Sequence, residues 1–474
     1  MSRIKLLGLG LCGLLGWNVQ AKAPKDKKEE RPNFIILLGD DISSNSLGCY
    51  GSPNKGTSPN IDNLASHGVM FTNMFVTEAI CAPTRAELYT GKQPFKNGVY
   101  VNHNQTYKGT KSVVHYLSDL GYRVGLTGKR HFGPKSVYPF EMIQALPQNC
   151  NARDVGVADW SNIRKFIKRN DQEPFCLFLC SVQAHSPWDS GDPSPWRVND
   201  LVLPKNLVDT RQTRMQYREY LAEVKLFDDQ VGRVNTMMKE LKIDKNTVFI
   251  VLDENGAGMP TGKWSNYDWG VRSACVMKWP KKYKINDTKS DAIAQYCDIL
   301  PTLIDAAGGE RIIDLDGQSL LPLLKQKKSK HRDYAYFTYN SGPVGPAYPI
   351  RAITDGKYKL INNMMPDTLF GAWTINGFQF GKEDPMLDRP ERLMYLSWLQ
   401  KAKKDSTAAF LVKRFRDRPS YELYDLDNDP HELNNLIQES SLESKISSLK
   451  IELERWKRSQ GDLGIQAEQM NDHH

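Results

Sequence analysis

The stretch Asn33-Phe34-Ile35-Ile36-Leu37-Leu38, followed after one glycine by Asp40-Asp41, decides how the chain is read. From Phe34 to Leu38 no polar residue interrupts the apolar run. Such a run is what a strand buried on both faces requires, and strands of that kind belong to parallel sheets covered by helices. The two acids at its carboxyl end stand where open α/β sheets bind their ligands. The same pattern recurs at Arg123-Val124-Gly125-Leu126-Thr127, at Phe175–Ser181 and at Thr247–Leu252. These runs lead into Gly128-Lys129-Arg130-His131, Gln183-Ala184-His185 and Asp253-Glu254-Asn255, and helical stretches (Asn60–His67, Ser112–Leu120, Arg214–Leu241) lie between them. The expectation is an α/β fold: a large mixed, mostly parallel sheet flanked by helices, with four polar clusters converging at one edge.

After about residue 345 the texture changes. Arg351–Ile361 alternates as a hairpin with Asp355-Gly356 as its turn, Tyr421–Leu426 is a short strand, and Leu442–Arg458 is an amphipathic helix. A larger domain over 32–345 and a smaller C-terminal antiparallel α+β subdomain over 346–474 are expected. At the other end, Arg3 and Lys5 precede the apolar stretch Leu6–Trp17, and Val19-Gln20-Ala21 has the small residues of a cleavage site. This pattern predicts a signal peptide over 1–21, hence a secreted or periplasmic protein, and the run is too short to remain as an integral membrane segment.

Composition narrows the classes further. With 474 residues, 40% hydrophobic and 25% charged, the chain is neither disordered nor a coiled coil. Its 63 Lys+Arg against 55 Asp+Glu give +8, too slight an excess for a nucleic-acid binder but suited to an anionic small molecule or glycan. Cys12 leaves with the signal, so the cysteines at 49, 81, 150, 176, 180, 275 and 297 remain. An odd number in an oxidising compartment leaves at least one unpaired, and no CxxC spacing points to zinc.

The cysteine that stands out is in Cys81-Ala82-Pro83-Thr84-Arg85, with Thr90-Gly91 downstream. With Asp40-Asp41 before it, and Lys129-Arg130-His131, His185, Glu254-Asn255-Gly256 and Gly262-Lys263 after it, this order resembles the type I sulfatases of the alkaline phosphatase superfamily. The likeness continues to Tyr421–Leu426 and Asp429-Pro430-His431-Glu432. It implies that a formylglycine-generating maturation enzyme converts Cys81 to an aldehyde. It further implies calcium held by Asp40, Asp41, modified Cys81 and the pair Glu254-Asn255. The chemistry needs such a set: sulfuryl transfer spreads negative charge over oxygens, and a hard cation with oxygen ligands supplies fixed positive charge. By the same resemblance Arg85 holds the hydrated aldehyde, Lys129 and Lys263 bind sulfate oxygens, His131 takes a proton from the second hydroxyl, and His185 protonates the leaving group. One hydroxyl of the hydrate attacks sulfur, and deprotonation of the other expels sulfate. The family commonly has Asp where Glu254 stands, which leaves Asp253 and Glu254 as alternative ligands, with Glu254 favoured by register.

Within the family, Gly128–Pro134, Val137–Phe140 and Arg418–Glu432 are similar to the sulfamidases, the N-sulfoglucosamine sulfohydrolases. The implied substrate is N-sulfated glucosamine at a non-reducing end of heparan sulfate or heparin. Loops carrying Trp188, Trp196, Arg197, Trp373 and Arg392 offer aromatic faces and guanidinium groups for a sugar, and His103 could line the pocket. Three rivals stand beside this reading: an O-sulfatase on another sugar, a phosphate or phosphonate ester hydrolase of the same superfamily, and a non-catalytic glycan-binding relative. The modification is directly measurable, because the tryptic peptide Gly56–Arg85 contains one cysteine and no internal Lys or Arg. Mass spectrometry of active protein should show an aldehyde or its hydrate at position 81. Full activity from a preparation whose peptide keeps an alkylatable thiol contradicts the assignment.

Overall fold

The apolar run that follows the N-terminal leader forms the central strand of an eight-stranded sheet. In this computed structural model, residues 31–148, 159–286, 288–327, 330–341, 345–372, 375 and 389–469 are described, and all belong to one compact unit. The expected signal segment, Cys150 and Trp373 lie outside the described residues. The strands of the large sheet are β1 (Asn33–Gly39), β2 (Val69–Phe71), β4 (Arg123–Gly128), β5 (Glu141–Met142), β6 (Phe175–Cys180), β7 (Thr247–Asp253), β8 (Cys275–Lys278) and β9 (Thr288–Ser290). Their spatial order is β5-β4-β6-β1-β7-β8-β2-β9, and the first five run parallel. Only β8 is antiparallel to both of its neighbours. A short two-stranded pair joins β3 (Met74–Phe75) to β10 (Ala294–Gln295).

Phe34 through Leu38 are fully buried, as are Leu177–Cys180 and Val248–Ile250 beside them. Each such side chain contributes about 1.5–3 kcal/mol by leaving water, a reserve large enough to support charged groups at the strand ends. The helix Arg211–Glu240 covers one face. Thr210 caps it by accepting the Thr213 N–H, and Tyr217, Tyr220, Leu221, Val224 and Phe227 are turned inward.

The hairpin of the smaller sheet is as the sequence predicts: β12 (Ile350–Thr354) and β13 (Tyr358–Asn363) are antiparallel, and Asp355 accepts the N–H groups of Lys357 and Tyr358 at 3.0 and 2.7 Å. The full order is β11-β12-β13-β14, with β11 at Ala335–Tyr339 and β14 at Tyr421–Asp425. The antiparallel unit thus takes its first strand from before residue 346. Leu449, Leu453 and Trp456 of the helix Glu443–Gln460 pack on Ile353, Leu360 and Leu423. Among the described residues, no helix is long and apolar enough to cross a membrane.

Gly128 ends β4 with φ 89°, and a Cβ there would lie 1.9 Å from the Cys180 carbonyl oxygen. The conformation and the close approach both demand glycine. Gly128→Ala should therefore cost at least about 2 kcal/mol in chemical denaturation, since backbone cannot yield as a side-chain tip can. An unchanged midpoint contradicts this packing.

Candidate active site

Strands β4, β6, β1 and β7 are adjacent and parallel, so their carboxyl ends open on one side. Backbone bonds continue past the last ladder pairs and fix the residues that follow. Asp40 N–H donates to Gln183 O (2.8 Å), Lys129 N–H to Cys180 O (3.0 Å), and Glu254 N–H to Gly39 O (3.1 Å). Asp40, Lys129 and Glu254 are thereby aimed into one space from the ends of β1, β4 and β7, with β6 between β4 and β1.

Cys81 enters this space as the first residue of a ten-residue helix, Cys81–Thr90, every residue of which is buried. The free N–H groups and dipole of a helix N-terminus favour negative charge there. The encoded thiol occupies the place of the oxygen that an aldehyde hydrate would present. Its Sγ lies 3.2 Å from Lys129 Nζ, 3.0 Å from Lys263 Nζ, 3.6 Å from Asp40 Oδ1 and 3.9 Å from Asp41 Oδ1. One turn along, Arg85 ion-pairs with Glu254 and donates to Lys129 O at 3.0 Å.

Three buried acids and three buried bases balance in this cluster. Lys129 holds Asp40 at 2.6 Å and approaches Glu254 at 3.5 Å; Lys263 holds Asp41 at 2.8 Å; Arg85 holds Glu254. Burial, then the charge of Glu254, push Asp40 well above the ordinary carboxylate range. Burial opposes ionisation of Glu254 and Asp41 too. There, however, Arg85 and Lys129 hold Glu254 well below its usual value, and Lys263 and His185 hold Asp41 below its own.

The ligating atoms of Asp40, Asp41, Cys81 and Glu254 all lie within 4.8 Å of one another. Asn255 donates through Nδ2 to Asp41 at 2.8 Å, while its buried Oδ1 accepts no hydrogen bond. Crowded carboxylates with an orphaned amide oxygen suit a hard divalent cation, and the residues present fit calcium. Between the two candidate acids the geometry discriminates. Asp253 pairs with Gly39 in the ladder and its carboxylate lies 3.0 Å from where a Cβ of Gly39 would be, at the core near Phe227, while Glu254 faces the cluster. Consecutive residues of a strand point to opposite faces, so only one could join.

His185 lies at the rim, its Nε2 3.8 Å from Asp41 and its Nδ1 2.7 Å from Ser186 O. Burial lowers it to about 3, despite the pull of Asp41, so it is neutral in the ligand-free site. His131 pairs through Nε2 with His103 Nδ1 at 2.9 Å. That contact was not readable from sequence, since a helix (Val113–Asp119) and strand β4 separate the two loops that carry the rings. Two expected sugar platforms are instead core residues: Trp188 and Trp196 are buried, donating to Ala184 O and Lys55 O at 2.9 Å each. Arg197 is largely exposed. The cysteines at 49, 81, 176, 180, 275 and 297 are free thiols.

Residues 32–309, more than half the chain, match the family described as Sulfatase. The chain belongs to the sulfatase family. It is therefore a hydrolase of sulfate esters, and residues 262–374 also match the family described as N-sulphoglucosamine sulphohydrolase, C-terminal. An ulvan-active sulfatase of Formosa agariphila is 32% identical over 92% of this chain and 81% of its own length. The human N-sulphoglucosamine sulphohydrolase is 26% identical over 90% of this chain and 89% of its own. Two solved structures share the sulfatase fold with TM-scores of 0.67. One, in complex with its substrate D-glucosamine-2-N,6-O-disulfate, is 18% identical and covers 92% of this chain and 99% of the other. The second, the phosphonate monoester hydrolase of Agrobacterium radiobacter, is 17% identical and covers 91% and 96%.

Calcium at a hundred times its dissociation constant should stabilise the protein by about 2.7 kcal/mol, an effect that a chelator reverses. Asp40 offers an oxygen to this set, so Asp40→Asn should abolish the calcium gain. Calorimetry of both proteins with and without calcium checks this; an undiminished calcium effect in the variant contradicts it.

Proposed function

We propose that this sulfatase releases sulfate from a sulfated glycan, acting on N-sulfated glucosamine at the non-reducing end of heparan sulfate or heparin fragments. The carrying observation is the convergence on Cys81 Sγ of Lys129 and Lys263 at 3.2 and 3.0 Å, within a cage of Asp40, Asp41 and Glu254. The match of residues 262–374 to the C-terminal N-sulphoglucosamine sulphohydrolase family supports the choice of sugar. Before acting, the exported chain requires a formylglycine-generating enzyme, and it works in the periplasm or outside the cell.

Asp40, Asp41, Glu254 and Asn255 would hold calcium, which supplies fixed positive charge beside the sulfuryl oxygens. The aldehyde hydrate at position 81 supplies two hydroxyls on one carbon, one to attack sulfur and one whose deprotonation releases sulfate. Arg85, wholly buried, cannot lose its charge and locks Glu254 while its other nitrogen binds the Lys129 carbonyl. Lys129 and Lys263 exchange their carboxylate contacts in part for sulfate oxygens, so charge developing in the transition state meets donors already in place. His131 removes the proton from the second hydroxyl.

His185 must deliver a proton although burial favours its neutral form. The arriving sulfate group brings negative charge against the ring and favours its protonated form, so substrate itself arms the acid. The acid matters most where the leaving group is an amine. His185→Ala should thus lower kcat on N-sulfoglucosamine by about a hundredfold or more with little change in KM, and affect an activated aryl sulfate far less. Equal losses on both substrates contradict this role. A panel of defined N- and O-sulfated mono- and disaccharides tests the substrate: sulfate release from N-sulfoglucosamine is expected. Removal of O-sulfate alone overturns the sulfamidase reading, and turnover of nitrophenyl phosphate in place of nitrophenyl sulfate overturns the reaction class.

A further inference from the structure

The function proposed above gives His131 a proton to remove, but leaves open how a half-buried imidazole is held ready and where the proton goes. His131 Nε2 is engaged at 2.9 Å by His103 Nδ1, and His103 Nε2 lies 3.1 Å from Asn102 Nδ2. The rings are 4.7 Å apart between centroids and tilted by 45°. At the inner end of this chain His131 Nδ1 is buried without a hydrogen-bond partner; at its outer end His103 is exposed to water. Both histidines hold left-handed backbone conformations, φ 71° at His103 and 47° at His131, which non-glycine residues adopt at a cost of about 1–3 kcal/mol each. The fold meets that cost twice, and the result is two rings in register.

We propose that His103, oriented by Asn102, is a positioning residue for His131: it fixes the tautomer that leaves His131 Nδ1 bare to accept a proton, and carries the displaced proton to solvent. This rests on the catalytic reading above for its function, though not for its geometry. The polarity of the chain follows from which amide atom faces His103: Nδ2 stands there, and a half-turn of the amide puts Oδ1 in its place. With Asn102 Oδ1, an atom otherwise buried and without a partner, turned onto His103 Nε2–H, His103 Nδ1 becomes the acceptor and His131 Nε2–H the donor. His131 Nδ1 then carries a lone pair. The cationic groups around His131, Lys129 and Arg85, favour a lone pair over an N–H on the remaining nitrogen.

The bookkeeping of the proton is closed. The hydroxyl O–H bond breaks as His131 Nδ1–H forms, the Nε2 proton crosses to His103 Nδ1, and His103 loses its Nε2 proton to water; proton exchange with water after sulfate leaves returns both rings to their starting tautomers. Burial and Lys129 make a standing positive charge on His131 costly, pushing it to about 2, and at the exposed neighbour water can share that charge. A ring that merely lined the sugar pocket would have no need of a hydrogen bond to His131 or of a strained backbone.

The test uses the full chain with ¹⁵N-labelled histidine, as the unmatured Cys81 form and as matured enzyme. In both, ¹⁵N spectra should show His131 neutral with its proton on Nε2; in His103→Ala the two tautomers should mix. In the matured enzyme His103→Ala should lower kcat on the order of tenfold or more with KM unchanged, and added imidazole should restore part of the loss. His103→Gln can accept from His131 but cannot pass a proton on, so it should keep the tautomer while kcat stays low. A proton on His131 Nδ1 in the wild-type protein overturns the proposal. So does a His103→Ala variant with unchanged kcat and raised KM, the behaviour of a pocket wall. If wild-type enzyme turns over no sulfate while the spectra show the stated tautomer, the catalytic reading fails and the positioning stands.

Discussion

Everything at this site depends on one constraint: six ionisable side chains are buried together, and each must find a partner. Asp40, Asp41 and Glu254 are set against Lys129, Lys263 and Arg85, all 5% exposed or less. Buried charges that lack partners cost several kcal/mol each, so the set is stable only as a whole. It is also poised. A formally neutral cluster can take in a divalent cation and then attract a sulfate group, because the cation leaves the lysines in excess. The same lysines that pair with Asp40 and Asp41 would become donors to sulfate oxygens once substrate is bound.

The sheet makes this affordable. Four parallel strands place the carboxyl ends of β4, β6, β1 and β7 side by side, and the apolar reserve of Phe34–Leu38 and its neighbours anchors them. The smaller sheet braces the site from behind. Tyr267, four residues beyond Lys263, donates to Glu422 on β14 at 2.9 Å, and Lys359 of β13 pairs with Asp268. The loop that carries Lys263 is thus pinned between the two sheets.

Much of this was legible in the sequence because both levels follow simple periods. A strand buried on both faces must be continuously apolar, so β1, β4, β6 and β7 announce themselves, and the polar residues after each are candidates by position. Legibility ended where contacts depend on direction. Asp253 and Glu254 differ by one step, and only the pleat decides which faces the cluster. Trp188 and Trp196 read as sugar platforms in loops, but packing (Trp188 against Tyr220 at 5.8 Å between ring centroids) consumes both rings. Strand β11 lies ten residues before its hairpin partner β12, and nothing local in Ala335–Tyr339 names that partner. The His103–His131 contact is of the same kind, set by two loops that sequence periodicity does not describe.

The central claim is that residues from three strand ends and the start of a helix form a single centre for calcium and a sulfuryl group. Anomalous diffraction from crystals of the matured protein grown with calcium and soaked in sulfate tests it most directly. The account predicts one strong calcium peak bounded by Asp40, Asp41, Glu254 and Asn255, with the side chain of residue 81 as a further ligand and sulfate oxygens on Lys129 and Lys263. An active crystal form with calcium bound elsewhere, or with Lys129 and Lys263 still closed on Asp40 and Asp41 around an ordered sulfate, would contradict it.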